Sequence, residues 1–278
     1  MPALPKAKEE LTQAVLGRYS APEGGIWASQ ARRAAQARLE ELGVPVRREE
    51  YWRFTSPEPW TREAPSYGTS TARSDVFDGL SPLTLSFIDG AFEASSSDAL
   101  SIEGATIELL SAAQRADLQW AKGVYGLLES GASLAEKREG AALFKPVPRA
   151  LAALNGMAAP EGVMIHATGA VEKPIRLSYR SAGGDAMRRH VINVAPGASR
   201  TVIEEGAPGA RSNVVIEADV ADGGAFHHIR IQGPEAELEA LTHVFGKVGE
   251  KSTFKSFGFT AHGVMTRNET IVDIVGHE

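Results

Sequence analysis

The sequence predicts a mainly β fold, either a stacked β-helix or a β-sandwich, preceded by a mixed α/β region that is partly helical. From about residue 162 to residue 278 the chain consists of short strand-like runs separated by turns rich in Gly and Asp. No helical period interrupts these runs. Regular short strands without intervening helices are typical of all-β architectures, and periodicity alone does not distinguish the two choices. We therefore expect an N-terminal mixed region at residues 1–150 and a β-rich core at residues 151–278.

The N-terminal region is predicted to begin with two helices. Residues 5–16 form the first. In the second, residues 29–42, the side chains of Ala31, Ala35 and Leu39 lie near one face. A glycine follows each segment, where the end of a helix favours a residue that tolerates left-handed backbone. Further helices are predicted at residues 112–125, 133–139 and 149–155.

A hairpin and a strand are predicted in the middle of this region. Residues 83–88 and 91–93 flank the pair Asp89-Gly90, which fits a type I′ turn between two strands. Residues 105–110 have the composition of a further strand. The first half of the chain is therefore predicted to mix helices with strands.

Four aromatic residues lie within ten positions, although aromatic residues make up only 7% of the chain. Such a group is usually a local packing cluster, and the alternative is a partner-binding patch. We expect the four side chains to pack together. They are Tyr51, Trp52, Phe54 and Trp60.

The β-rich core is predicted from a period of two. In residues 174–180, Ile175, Leu177 and Tyr179 face one way, and residues 213–220 alternate in the same manner. Each run therefore predicts a strand with one buried face. The other strand-like runs are residues 163–167, 190–194, 201–204, 225–232, 241–245, 254–259 and 270–275.

Composition excludes several classes of function. The net charge of −6 argues against a general affinity for nucleic acid or anionic lipid, because both need a positive field. The absence of cysteine excludes disulfides, thiol nucleophiles and thiolate ligands for metals or iron-sulfur clusters. We find no membrane-spanning run and no signal peptide, so we expect a cytoplasmic protein whose partners are proteins or small molecules.

Motifs for catalysis are weak. Residues 246–253 superficially resemble a phosphate-binding loop, but Glu250 stands where that motif needs Gly, and no helix is predicted to follow. We find no Gly-x-Ser-x-Gly motif for a nucleophilic serine. The strand carboxylates are predicted to lie on solvated faces, and they are Glu204, Glu205, Glu217 and Asp219.

The histidines are the softest metal ligands that the chain offers. His227 and His228 point to opposite faces of one strand, and His227 shares its side with Ile229 and Ile231, which predicts an inward, hydrogen-bonded histidine. In a stacked sheet, histidines from different strands could converge. Those from different strands are His166, His190, His227 and His243, and the full set also includes His228, His262 and His277.

Two segments carry a resemblance to a known family. Residues 43–55 read GVPVRREEYWRFT, and residues 153–155, 161–166 and 172–175 read ALN, EGVMIH and EKPI. The first segment resembles the opening motif of the SufD branch of the SufB/SufD family, which belongs to the SUF machinery for iron-sulfur cluster assembly. The second resembles the start of the core that SufB and SufD share. The absence of cysteine also favours the SufD branch.

This resemblance implies a fold, partners and a role. The implied fold is a right-handed parallel β-helix flanked by helical regions, incomplete at its C-terminal end. The implied role is a non-catalytic scaffold that acts with a SufB-like subunit and a SufC-like ATPase, with iron or a cluster present only transiently in the complex. The family histidine implicated in assembly lies in a later stretch. We therefore assign no catalytic, cofactor-binding or metal-binding residue, and His277 does not take that role.

Two other functions stay open. A carbohydrate-active β-helix enzyme would need paired acids on an exposed groove, and Glu217 and Asp219 share one strand face. A cupin-like metal-binding sandwich would need several inward histidines on neighbouring strands.

The strand pattern still runs at Glu278. We expect the downstream DNA to continue in frame with more strand-like runs and then helices. We also expect the 278-residue chain to self-associate, because a last turn with unpaired backbone groups is an exposed sheet edge. Sequencing and light scattering check the two expectations. An immediate stop codon with a functional product, or a monomer insensitive to dilution, would contradict them.

Overall fold

The computed structural model describes residues 4–65, 70, 75–116, 118–131, 147–233 and 237–276. The helix predicted at residues 133–139 and the residue His277 lie outside this part of the chain.

The predicted N-terminal helices are present. Gly43 ends the second helix with a φ of 63°, as the sequence predicted. The helix predicted at residues 149–155 is also confirmed and extends further. The described α-helices are α1 (Lys6–Leu16), α2 (Ile26–Leu42), α3 (Glu58–Thr61), α4 (Leu110–Ala113), α5 (Gln119–Lys122), α6 (Leu127–Ser130) and α7 (Ala150–Ala158). Short 3₁₀ helices cover Glu50–Trp52, Asp78–Leu80 and Ala94–Ser96.

The single helix predicted at residues 112–125 is wrong, because the chain forms the separate turns α4 and α5. The carbonyl oxygens between them accept hydrogen bonds from the start of α2 instead of from their own helix. The backbone N–H of Gly25 donates to the Gln114 carbonyl at 2.7 Å, and Trp27 Nε1 donates to the Ala116 carbonyl at 2.8 Å. Tertiary hydrogen bonds therefore override the local helical preference.

The strands form two sheets. The strands are β1 (Leu83–Ile88), β2 (Ala91–Phe92), β3 (Ser101–Ile102), β4 (Ala105–Leu109), β5 (Val163–Ala167), β6 (Ile175–Arg180), β7 (Asp185–Val194), β8 (Ser199–Gly206), β9 (Arg211–Val220), β10 (Ala225–Gln232), β11 (Glu239–Val248), β12 (Thr253–Thr260) and β13 (Met265–Ile274). One sheet has the order β12-β10-β8-β6-β1-β2, and the other has the order β13-β11-β9-β7-β5-β4-β3.

The predicted hairpin is confirmed. Strands β1 and β2 pair antiparallel, with Ile88 opposite Ala91. Asp89 and Gly90 have φ angles of 43° and 89°, and two positive φ angles in succession define the type I′ turn.

From β6 to β13, consecutive strands alternate between the two sheets, and each strand pairs in parallel with the strand two positions further along. Asp185 pairs with Arg211, Arg211 with Glu239, and Glu239 with Met265, so each turn adds 26 to 28 residues. The fold is a parallel β-solenoid, or β-helix, of about four turns. The sandwich alternative is wrong, because the backbone ladders run from one turn to the next.

Each sheet contains strands from both sides of residue 150. Strand β1 pairs in parallel with β6, and β4 pairs antiparallel with β5. The earlier strands therefore extend the sheets of the solenoid, and the division into residues 1–150 and 151–278 stays a prediction.

Helix α7 covers the outer face of one sheet. Strands β7, β9 and β11 are buried on both faces, so the prediction of one buried face is wrong for residues 213–220. Asn155 Nδ2 donates to the carbonyl oxygens of Arg188 and Asn213, both at 2.8 Å, and so joins α7 to two turns. The buried Arg32 of α2 donates to the carbonyls of Met157 and Ala159 at 2.6 and 2.8 Å.

The predicted packing is confirmed for two of the four aromatic side chains. Trp52 and Trp60 are buried, with ring centroids 6.2 Å apart. The packing prediction is wrong for Tyr51 and Phe54, which are 45% and 92% exposed. Tyr51 instead lies 4.7 Å from the guanidinium of Arg149.

A buried ion pair joins the helical layer to the solenoid. Arg189 of β7 donates from Nε and Nη2 to Glu217 Oε2 of β9, at 2.9 and 2.7 Å. Glu217 also accepts the backbone N–H groups of Gly126 and Glu129, at 2.8 and 3.0 Å, and so fixes the start of α6. Glu129 is bonded in turn to Arg38 of α2 at 2.6 Å.

We expect Glu217→Ala to lower the free energy of unfolding by about 3–5 kcal/mol, because it leaves the buried Arg189 charge without its partner. Asp219→Ala is the matched control on the same strand face. Asp219 pairs with Lys247 in a partly exposed position, so its loss should cost about 0–1 kcal/mol. Urea unfolding measures both variants. An equal loss of unfolding free energy in both variants would show that the Arg189–Glu217 pair does not hold the helical layer to the solenoid.

Candidate functional site

A cluster of polar side chains lies inside the solenoid, where the two sheets face each other. Tyr179 lies in β6, Glu204 lies in β8 and His228 lies in β10, all on one sheet. His190 comes from β7 on the opposite sheet. All four side chains are buried. The interior is therefore polar here and apolar elsewhere, where residues such as Leu177 pack.

The four side chains form a continuous chain of hydrogen bonds. Tyr179 Oη donates to Glu204 Oε2 at 2.7 Å and lies 3.0 Å from His190 Nε2. His228 Nε2 lies 2.9 Å from Glu204 Oε1, and His228 Nδ1 lies 3.0 Å from Ser256 Oγ. Ser256 is exposed on β12. The chain thus connects the closed interior with the surface of a later turn.

The surroundings fix the protonation of His190. Its Nδ1 accepts the backbone N–H of Val163 at 3.1 Å, so the proton of the neutral ring sits on Nε2 and is donated to Tyr179 Oη. Burial lowers the pKa of His190 to about 3, although the negative charge of Glu204 acts in the opposite direction. This imidazole is therefore neutral at physiological pH.

Glu204 stays ionised in the interior. Burial alone would raise its pKa, but the hydrogen bond and the charge of His228, together with Arg230, lower it to about 2. Burial raises the pKa of Tyr179 well above its ordinary value, and Glu204 raises it further. The phenol therefore keeps its proton and donates it to the carboxylate.

Two arginines flank this chain. The guanidinium of Arg188 lies 4.0 Å from the centre of the Tyr179 ring and donates to the Pro208 carbonyl at 2.6 Å. Arg230 is the register partner of Glu204 on the next turn and donates to Asn268 Oδ1 at 2.7 Å. Burial lowers the pKa of both guanidinium groups. The cluster can hold and pass protons along this chain of hydrogen bonds.

The prediction of solvated strand carboxylates is wrong for three of the four. Glu204, Glu205 and Glu217 are buried, because helices or loops cover the outer faces and the polar chain occupies the inside. Asp219 is only partly buried and lies 3.1 Å from Lys247 Nζ.

The predicted orientation of the histidine pair is reversed. Phe226, His228, Arg230 and Gln232 are the buried side chains of β10, whereas His227 lies on the less buried face with Ile229 and Ile231. The isoleucines misled the prediction, because the inside of the solenoid takes charged residues at these positions.

The predicted set His166, His190, His227 and His243 does not converge. His166 stacks on Trp120 at 5.6 Å, and His243 stacks on Phe245 at 5.9 Å. His243 lies 4.0 Å from Glu269, away from His190. Within the described ranges, no three His, Asp or Glu side chains are arranged to share a metal ion. The convergence that a cupin-like site needs is not found there.

The other sequence motifs have structural explanations. Lys247 of the phosphate-loop-like segment pairs with Asp219, and the segment runs from β11 into a turn. Glu217 is fully buried against Arg189, so Glu217 and Asp219 do not form a pair of acids on an exposed groove. Sequence reasoning missed Tyr179, Arg188 and Arg230. Their signal is a polar or aromatic residue at the inward position of a strand.

Part of the chain matches a known protein family. Residues 178–278 match the family model described as SUF system FeS cluster assembly, SufBD core domain. These residues are thus similar to the core domain that SufB and SufD share, and the match does not distinguish the two branches. No curated protein matches the chain. None of the helices in the described ranges has the length and apolar character needed to cross a bilayer.

The low pKa of His190 makes stability depend on pH. Its ordinary pKa is 6.5 and its folded pKa is about 3, so the unfolded chain takes up the proton first as the pH falls. The neutral His190 ring therefore makes a contribution to the free energy of unfolding that is complete above pH 6.5 and is lost as the pH falls towards 3. The loss amounts to about 3 kcal/mol by pH 4. We expect His190→Gln to remove this part of the pH dependence, as measured by urea unfolding at pH 7 and pH 4. His227→Gln is the control. If the unmodified chain and both variants had the same pH dependence of the free energy of unfolding, the low pKa assigned to His190 would be refuted.

Proposed function

We propose that this chain is a scaffold subunit of the SUF system in the SufD role, acting with a SufB-like subunit and a SufC-like ATPase. The observation that carries the proposal is the match of residues 178–278 to the SufBD core domain. These residues run from β6 to β13 and so form the stacked turns of the solenoid. The family match and the repeating architecture therefore concern the same part of the chain.

The arrangement of the solenoid supports a scaffold rather than a catalyst. Each turn pairs its backbone with the next, which gives an extended rigid surface for partners. The polar groups of the interior bond chiefly to one another and not to an open pocket. Iron or a nascent cluster is then the cargo of the whole complex, and ATP is hydrolysed on the SufC-like partner.

The SufD role is preferred to the SufB role for two reasons. The chain has no cysteine with which to hold a cluster, and residues 43–55 resemble the SufD opening motif. In the fold this motif provides the buried Trp52, whose ring lies 4.4 Å from the guanidinium of Arg267 in β13. A cytoplasmic location belongs to the same proposal.

Co-expression tests this proposal. We expect a tagged chain, produced at full gene length with the SufB-like and SufC-like subunits of its organism, to retain both through size-exclusion chromatography. ATP hydrolysis should be present in the complex and absent from the chain alone. A chain that retains neither subunit would disprove the proposal. A chain that alone assembles a cluster from ferrous iron and sulfide, seen by visible absorbance, would disprove the SufD role.

A further inference from the structure

A groove of about 770 Å³ lies on the helical layer, between α2 and residues 115–116 and 122–130. Its apolar lining includes Trp27, Ala31, Ala34, Tyr125 and Leu127. A volume of this size lies within the range of known binding sites. The groove shares Arg38, Tyr125 and Gly126 with the network around the Arg189–Glu217 pair. It contains none of the residues of the polar cluster inside the solenoid.

One wall of the groove is an exposed ridge of α2. Ile26, Gln30, Ala34 and Arg38 follow one another at intervals of four residues and all line the groove. Such a ridge is the surface that a second helix packs against, and the small side chain of Ala34 lets a partner backbone come close. Ile26 is 80% exposed, although it is a large apolar residue at the start of a helix.

The charge of the groove has one sign. Its described lining contains the cationic residues Arg38, Arg115 and Lys122 and no Asp or Glu, in a protein with a net charge of −6. Arg38 is held by Glu129, which is buried beneath it. Among the described residues, Arg115 has no ion-pair partner. An apolar floor with a cationic rim is complementary to an apolar stripe flanked by carboxylates.

We propose that this groove docks an acidic amphipathic helix of a partner protein. The apolar stripe of that helix packs between the α2 ridge and Leu127, and its flanking Glu or Asp residues face Arg115. This mode of recognition is that of a helix in a groove, with contact residues at helical spacing. The proposal does not depend on the SUF assignment.

The test uses a synthetic peptide of roughly 18 residues, long enough to form an isolated helix, with Leu on one face and Glu on both flanks. Binding to the full chain is followed by fluorescence anisotropy of a dye on the peptide. We expect the Glu peptide to bind at least about tenfold more tightly than the same peptide with Lys at every flanking position, and the difference to shrink with added salt.

Matched variants locate the binding. Arg115→Glu should reverse the preference between the two peptides, and Ala34→Trp should fill the groove and weaken both. Arg33→Glu and Ala37→Trp are the controls on α2, because these exposed residues do not line the groove, and they should change binding less than about twofold.

Three results would overturn the proposal. They are equal affinity for the Glu and Lys peptides, binding that survives both groove variants, and no binding at millimolar peptide. Self-association of the chain that Arg115→Glu and Ala34→Trp abolish, without peptide binding, would assign the groove to a second copy instead.

Discussion

The parallel pairing of each turn with the next is the constraint on which the rest of the structure depends. Because one turn adds 26 to 28 residues in fixed register, side chains at matching positions stack in columns. Glu204 lies above Arg230, and His228 lies above Ser256. A polar residue at one inward position therefore requires a polar partner on the neighbouring turn, since an unpaired polar group in this interior is costly. The hydrogen-bonded chain inside the solenoid follows from that rule.

The helical layer depends on the same register. Arg189 and Glu217 reach the outer face of one sheet from neighbouring turns, and together they bind the start of α6 and contact Glu129. Asn155 bridges the same two turns from α7. The helices are therefore attached by polar groups that require the turns to be aligned already. The pairing of the solenoid strands fixes that alignment, and the helical layer then covers the aligned turns.

The strands were predictable from the sequence, but their faces were not. A period of two located part of every strand from β5 to β13, and Asp89-Gly90 fixed a hairpin because that turn requires positive φ angles. Periodicity could not tell inside from outside where both faces are buried, as in β9. It assigned Ile229 to the interior because isoleucine is apolar, whereas the neighbouring turn holds Glu204 and selects Arg230. Such a choice depends on a residue some 26 positions away and has no local signal.

The charged interior is best explained as a device that fixes register. Replacing buried ion pairs with apolar residues of similar size is often neutral or stabilising, so stability alone does not explain Glu204, His228 and Arg230. A slip of one residue between turns would turn these side chains to the outer face. A slip of two would keep them inside but would place Val202 or Gly206, instead of Glu204, opposite Arg230. An apolar column would tolerate that second slip, whereas this polar column does not. Glu217 and Asn155 hold the helical layer from neighbouring turns, so this layer needs that register to be unique.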